Sequence, residues 1–172
     1  MRKIILGLAI SLDGYIEGPN GEYDWCFTDQ DYGMADFFKR VDTSFMGRKS
    51  YELMERVGDA ANFPSMKEYI FSNTLQTVKA GAELISGNIG TAVRKIKNEQ
   101  GKDIWLFGGA GLTTSLMKLG LVDELWLSVH PILLRGGKRL FPDEGGRQPL
   151  KLLETKTYST GLVSLKYEIE RA

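Results

Sequence analysis

The chain has 172 residues, 42% of them hydrophobic and 26% charged, which suits one well-packed domain over residues 1–172 rather than a disordered or fibrous chain. Its 22 basic and 22 acidic side chains cancel, so no global field argues for nucleic acid or an anionic membrane, and any anion must be caught locally. A single cysteine, Cys26, rules out an intrachain disulfide framework, and a lone histidine, His130, leaves no His/Cys cluster for a metal. No apolar run approaches the roughly 20 residues of a bilayer span. Ser11-Leu-Asp-Gly stands where a signal peptide would need its cleavage site, so the chain's start reads as a strand and a cytoplasmic setting is expected.

Ile4 to Ile10 is almost continuously apolar, as in a strand covered on both faces at the centre of a sheet. Glu17 to Asp31 is a long loop rich in Gly, Asn and Asp that nevertheless carries Tyr23, Trp25 and Phe27, the composition of a lid. Met34, Phe37, Phe38 and Val41 repeat at helical spacing and predict a helix over 31–41. A strand over 43–46 runs through Gly47-Arg48-Lys49-Ser50 into a second helix with Leu53, Met54 and Val57 as its apolar stripe. Strands follow at 68–72 and 82–85, then a helix capped by Asn88 with Ile89, Ala92, Val93 and Ile96 on one face. Ile104 to Leu119 reads as strand, glycine turn and helix. Beyond it the style changes to a strand at 124–129 and a hairpin pairing 152–158 with 163–169 across Ser159-Thr160-Gly161. The sum is a mostly parallel sheet of about eight strands, about four helices and an antiparallel C-terminal hairpin.

Three strand ends carry the chemistry. Phe107-Gly-Gly-Ala-Gly-Leu leaves backbone N–H groups bare for an anion. It departs from a dinucleotide fingerprint, because Thr114 replaces the third glycine and the acidic pair Asp123-Glu124 begins a strand instead of ending one. Gly47-Arg48-Lys49-Ser50 places a guanidinium, an ammonium and a hydroxyl at a helix start, where positive charge opposes the macrodipole and is better explained by a phosphate. Ser72-Asn73-Thr74 adds polar side chains to a third strand end. Ligands of open α/β sheets lie outside such ends, so the three together imply an extended ligand with several phosphates.

The order SLDGYI, MGRKSYE, IFSNT, FGGAGL and VHPILLRGGKRLFP resembles the dihydrofolate-reductase-like superfamily, and within it the reductase domain of riboflavin biosynthesis in a stand-alone form. The resemblance implies a three-layer fold, a homodimer and an NADPH-dependent reductase. It implies that Gly47, Arg48, Lys49 and Ser50 hold cofactor phosphates, that Ser72 and Asn73 line the adenosine 2′-phosphate region, and that Gly108, Gly109, Ala110, Gly111, Leu112 and Thr113 take the pyrophosphate and nicotinamide side. Ala9 and Ile16 would flank the nicotinamide, Trp25 would touch it from the closing loop, and Gly108-Gly109 would be joined by a cis peptide.

Folate reductases carry a carboxylate at the position that here is Met34, so the nearest substitute is Asp31, one helical turn earlier. Asp13, at the end of the first strand, is a second candidate catalytic acid. Trp25, Met34 and Phe38 would face substrate. Without the folate-type acid, the expected activity is that of a 5-amino-6-(5-phosphoribosylamino)uracil reductase, whose open-chain carbon makes less demand for a proton than a pterin ring. A dihydrofolate reductase and a non-catalytic nucleotide-binding sensor or scaffold are the alternatives. Arg135, Lys138 and Arg139 offer cations for a phosphoribosyl end, though a solvated loop explains them equally well. Lone His130, ahead of Pro131, reads as structural, and Cys26 as a small half-buried residue.

Overall fold

The computed structural model describes residues 1–58, 62–143 and 145–171. Its elements are β1 (Ile4–Ser11), β2 (Tyr15–Glu17), α1 (Met34–Arg40), β3 (Val41–Gly47), α2 (Arg48–Val57), β4 (Lys67–Phe71), β5 (Ala82–Ile85), α3 (Ile89–Asn98), β6 (Asp103–Gly108), α4 (Ala110–Lys118), β7 (Glu124–His130), β8 (Lys138–Arg139), β9 (Leu150–Thr157) and β10 (Val163–Ile169). Eight strands form one sheet in the order β5-β4-β3-β6-β1-β7-β10-β9. All neighbours from β5 to β7 are parallel, and β10 runs antiparallel to β7 on one side and β9 on the other.

The unbroken apolar runs follow from this placement, because helices cover both faces of the inner strands. Consecutive residues divide between the two faces of the sheet, one with a single core and the other with two. Ile4, Phe45, Tyr69 and Ile104 face Val93 and Ile96 of α3 and Leu112 and Leu116 of α4. Their successors Ile5 and Trp105 pack on Phe37 of α1, while Met46 and Ile70 pack on Tyr51 of α2. The expected three-layer fold, parallel sheet and terminal hairpin are all present, with four helices among the described residues.

Three details differ from the sequence reading. The first helix starts at Met34 rather than near residue 31, because Gly33 is left-handed (φ 85°) and breaks the helical path. Val41 belongs to β3, which leaves the last residue of α1 without a loop. Tyr15–Glu17 and Lys138–Arg139 pair as a small antiparallel ribbon, too short for any periodicity to reveal. A Cβ on Gly137 (φ 114°) would overlap the Glu17 carbonyl, so glycine is required where the ribbon closes.

At the amino ends of the parallel strands sits a lattice of ion pairs. Glu124, 5% exposed, accepts from Lys3 Nζ at 2.7 Å and Arg40 Nη1 at 2.9 Å, and Arg40 also reaches Asp103 at 2.7 Å. Asp123 receives Lys97 Nζ at 2.5 Å, Arg171 at 2.6 Å and the Ile4 N–H at 2.7 Å. Arg2 pairs with Asp42. Burial of such charges is tolerable only because each finds an opposite partner.

Candidate cofactor and substrate site

At the opposite, carboxyl edge of the sheet, β3 runs directly into α2 and β6 into α4, with Gly47 and Gly109 as the residues preceding each helix. No side chain caps either helix, so the first-turn N–H groups of both remain available to a ligand. Because β3 and β6 are neighbours, the two turns abut. A Cβ on Gly47 would lie 3.7 Å from Leu112 Cβ and 3.8 Å from both Gly108 O and Gly109 N, and one on Gly109 would lie 3.5 Å from Ser50 Oγ. Gly108 has φ 113° and its peptide to Gly109 is cis, while Gly111 has open space where a side chain would be. Two adjacent helix starts bare of side chains form a cradle for linked phosphates.

The other expected cofactor residues are arranged around this cradle. Arg48 and Lys49 are exposed in the first turn of α2, and Arg48 Nη1 is paired with Glu52 Oε1 at 3.0 Å. Ser72 and Asn73 follow β4, but their side chains have local work. Ser72 Oγ accepts from the N–H groups of Thr74 and Leu75, both at 3.1 Å, and Asn73 Oδ1 accepts from Gly87 N–H at 2.9 Å. On β1, Leu8 packs 3.7 Å from where a Gly108 Cβ would be, and half-buried Ala9, the next residue, pairs with Ser128 of β7. Ile16 is half-buried and packs against the main core.

Thr113 is fully buried, and its Oγ1 has no hydrogen-bond partner among the described residues. It also lines a cavity of about 270 Å³ with Met117, Leu125 and Leu140. That cavity lies on the side of α4 that faces β7 and residues 140–150, away from the glycine turns, so it is the unfilled pair of helix starts that fits the phosphates of a dinucleotide.

The loop over 17–31 is tethered to the end of β7. The Phe27 N–H donates to His130 Nε2 at 3.1 Å, and its ring lies 5.0 Å from the imidazole. Trp25 meets the same imidazole edge-on at 5.3 Å and donates its indole N–H to Glu22 O at 3.2 Å. Beyond Phe27, Tyr32 packs on Tyr158 at 4.9 Å and hydrogen-bonds Asp29 at 2.6 Å. Sequence reasoning expected the loop but missed its anchor.

Met34 and Phe38 of α1 are half-buried against Ile5, Trp105 and Phe107. Phe38 is 5.6 Å from the Trp105 ring and 5.7 Å from Phe63, which is itself 5.1 Å from Trp105. Phe63 had no sequence role, since it stands alone ahead of Pro64 outside any periodic stretch. The glycine turn and this aromatic cluster meet at Phe107, the residue before Gly108.

The two candidate acids serve separate segments. Exposed Asp31 accepts from the N–H groups of Gly33 at 3.0 Å and Ala35 at 2.9 Å, at the start of α1. Asp13 accepts from Ser11 Oγ at 2.7 Å, Arg135 N at 2.8 Å and Leu134 N at 3.1 Å. Burial pushes the Asp13 carboxyl up, and these hydrogen bonds outweigh it and hold the group below the usual carboxylate range. Asp13 therefore suits an acceptor role, tying the end of β1 to residues 134–135. Among the described residues there is no group of three or more metal-ligating side chains and no helix long and apolar enough to cross a membrane.

Comparison with known proteins matches this arrangement to relatives. The chain is 45% identical to YyaP and 31% identical to YwjB, two Bacillus subtilis proteins named as uncharacterized. Each alignment covers 96% of this chain, with 94% of YyaP and 97% of YwjB. Its structure is similar to that of a candidate riboflavin biosynthesis protein from Shewanella sp. PV-4, with a TM-score of 0.82 and 25% identity over 99% of this chain and 100% of the other. It shares its fold with Acinetobacter baumannii RibD (TM-score 0.74, 17% identity), covering 99% of this chain and 58% of that longer one. Residues 2–164 match the RibD C-terminal domain family, and with the paired glycine turns and sheet order already described, the chain is a member of that reductase-like family.

Proposed function

We propose that the protein is an NADPH-dependent reductase of a small heterocycle, with 5-amino-6-(5-phosphoribosylamino)uracil or a close analogue as substrate. The observation that carries this reading is the contact between the uncapped starts of α2 and α4 at Gly47 and Gly109, which leaves two sets of N–H donors side by side. NADPH bound there would supply the hydride.

The chain's own residues bind and position. Backbone N–H groups of both helix starts, with Ser50, hold the diphosphate, and Arg48 turns from Glu52 to the 2′-phosphate, with Lys49 beside it. Ser72 and Asn73 shape the wall of that pocket. Ala9, Ile16 and Thr113 border the nicotinamide, and Trp25 on the 17–31 loop excludes water from it. Met34, Phe38 and the aromatic rings behind them receive the substrate plane. Exposed Asp31 is the carboxylate free to exchange its hydrogen bonds with substrate, whereas Asp13 positions the turn. Met34 in place of a folate-type acid disfavours a pterin. A cytoplasmic homodimer belongs to the same reading, and the exposed leucines of edge strand β9, Leu150, Leu152 and Leu153, supply apolar surface for it.

Thermal unfolding with and without cofactor tests the proposal. NADPH at about 100 times its Kd should add about 2.7 kcal/mol, a rise of roughly 5–10 °C for a domain of this size. NADH should give much less, and no shift with either would overturn the reading. Oxidation of NADPH is then followed with the ribosylamino-pyrimidine and with dihydrofolate. Efficient turnover of dihydrofolate would reverse the argument from Met34.

A further inference from the structure

His130 is the lone imidazole of the chain and is 3% exposed. Its two nitrogens have opposite duties. Nδ1 lies 2.9 Å from the Ser128 carbonyl and must donate to it, whereas Nε2 receives the Phe27 N–H at 3.1 Å and must be bare. Only the neutral ring protonated at Nδ1 satisfies both partners. The rings of Trp25 and Phe27 pack on that imidazole from the loop side, so one side chain on β7 holds the middle of the 17–31 segment.

We propose that neutral His130 is the positioning residue that latches the Trp25–Phe27 segment against the end of β7, and that a second proton on its ring releases the segment. A proton on Nε2 would face the Phe27 N–H donor to donor, without an acceptor between them. The titratable groups on the surrounding elements are Glu17, Glu22, Tyr23, Asp24, Cys26, Asp29 and Asp31 on the loop, Asp13 after β1, Tyr32 ahead of α1 and Tyr158 after β9. Asp13 and Asp29 spend their hydrogen bonds on Ser11, Leu134, Arg135 and Tyr32, and burial pushes the Cys26 thiol up to about 11, so it stays neutral. Among the described residues no carboxylate is bonded to the imidazole to stabilise a charged form. Burial lowers the His130 pKa below its ordinary value, against a smaller opposing effect of the Ser128 carbonyl. The released state, with a solvated ring of pKa about 6.5, therefore gains population as pH falls below that value, by up to tenfold per pH unit, until the latched ring itself titrates.

The inference rests on the reductase reading only for its effect on turnover, so its test uses the protein without cofactor. Nitrogen NMR of the single histidine should show the Nδ1-protonated tautomer and a pKa below 6.5. The hydrogen-exchange protection factor of the Phe27 amide should fall from pH 7 to 5 in the wild type and stay level in His130→Gln, whose side-chain oxygen accepts the same N–H without titrating. At a fixed pH of 8, His130→Ala should raise the rate of Cys26 alkylation by about fivefold or more through segment opening. An Nε2-protonated ring, a pKa of 6.5 or above, pH-independent Phe27 protection in the wild type, or unchanged Cys26 labelling would each overturn the latch. Failure of NADPH to bind would leave these readouts untouched.

Discussion

Replacing Arg48 with alanine removes a guanidinium that stands at an uncapped helix start and is shared with Glu52 on the next turn. In the free protein its loss costs little, because the pair is an exposed i,i+4 contact, with the two side chains 43% and 45% exposed, worth about 0.3–0.5 kcal/mol. With cofactor bound, the same group would make a charge-assisted bond to the 2′-phosphate worth about 1.5–3 kcal/mol. Subtracting the Glu52 contact that must be given up leaves about 1–2.7 kcal/mol, a loss of roughly 5–100-fold in NADPH affinity. NADH lacks the 2′-phosphate, so its Kd should move by less than about twofold on the same arithmetic. Glu52→Gln frees Arg48 from its competitor and should tighten NADPH by about twofold. Titration calorimetry of both nucleotides with the three proteins provides the comparison. Equal weakening of NADPH and NADH by Arg48→Ala would refute the reasoning, since it would place the guanidinium on a phosphate common to both.

Further outcomes follow from other contacts. Asp123→Ala takes the carboxylate from the buried Lys97 ammonium, leaving it the Leu121 carbonyl at 3.2 Å, and strips the Ile4 N–H of its acceptor; it should cost about 3 kcal/mol, a fall of roughly 6–12 °C in Tm by calorimetry. Gly137→Ala drives a methyl into the Glu17 carbonyl and should cost about 2 kcal/mol or more in urea unfolding while leaving the eight-stranded sheet's far-ultraviolet signal intact. The lowered pKa of Asp13 means that its contribution to stability is full above the unfolded value of about 4 and is lost as pH falls through the folded value. Wild type and Asp13→Asn should therefore differ in urea midpoint at pH 6, with the gap narrowing as pH falls below about 4, and a constant gap would contradict this. For His130 the sign is the same in a higher window: its folded pKa is also depressed, so stability is highest above pH 6.5 and declines as pH drops from there towards the folded value.

The inner strands were legible in the sequence because covering both faces of a sheet forces consecutive apolar residues, as in Ile4-Ile5-Leu6. The hairpin was legible for the opposite reason: Val163 to Ile169 alternates between an apolar face and a polar one, although the polar face is partly covered, since Ser164 is buried and accepts the Trp126 indole N–H at 3.0 Å and Lys166 lies over the same ring. The start of α1 was not, since the periodicity of Met34 to Val41 says nothing about the left-handed Gly33 that sets where the helix can begin. Gly47 and Gly109 announced themselves as turns, yet their contact depends on β3 and β6 being neighbours, a fact of strand order and not of spacing. The bonds of Asp13 to residues 134 and 135, and of Phe27 to His130, span more than a hundred residues. Such pairs exist only after folding, which is why Asp13 read as a candidate catalyst and His130 as a lone structural ring.

The lattice of Lys3, Arg40, Lys97, Asp103, Asp123 and Glu124 lies wholly at the amino ends of the strands, while the glycine turns and the tethered loop occupy the carboxyl ends. The molecule thus has a fixed pole and a variable pole. Strand register is secured at the first by charges that touch no ligand, so the loops at the second can change length and side chains without unsettling the sheet. Engineering a new acceptor specificity should accordingly succeed with replacements confined to residues 17–31 and 62–66, and the same number of changes among the charged anchors should cost the fold before it alters the chemistry.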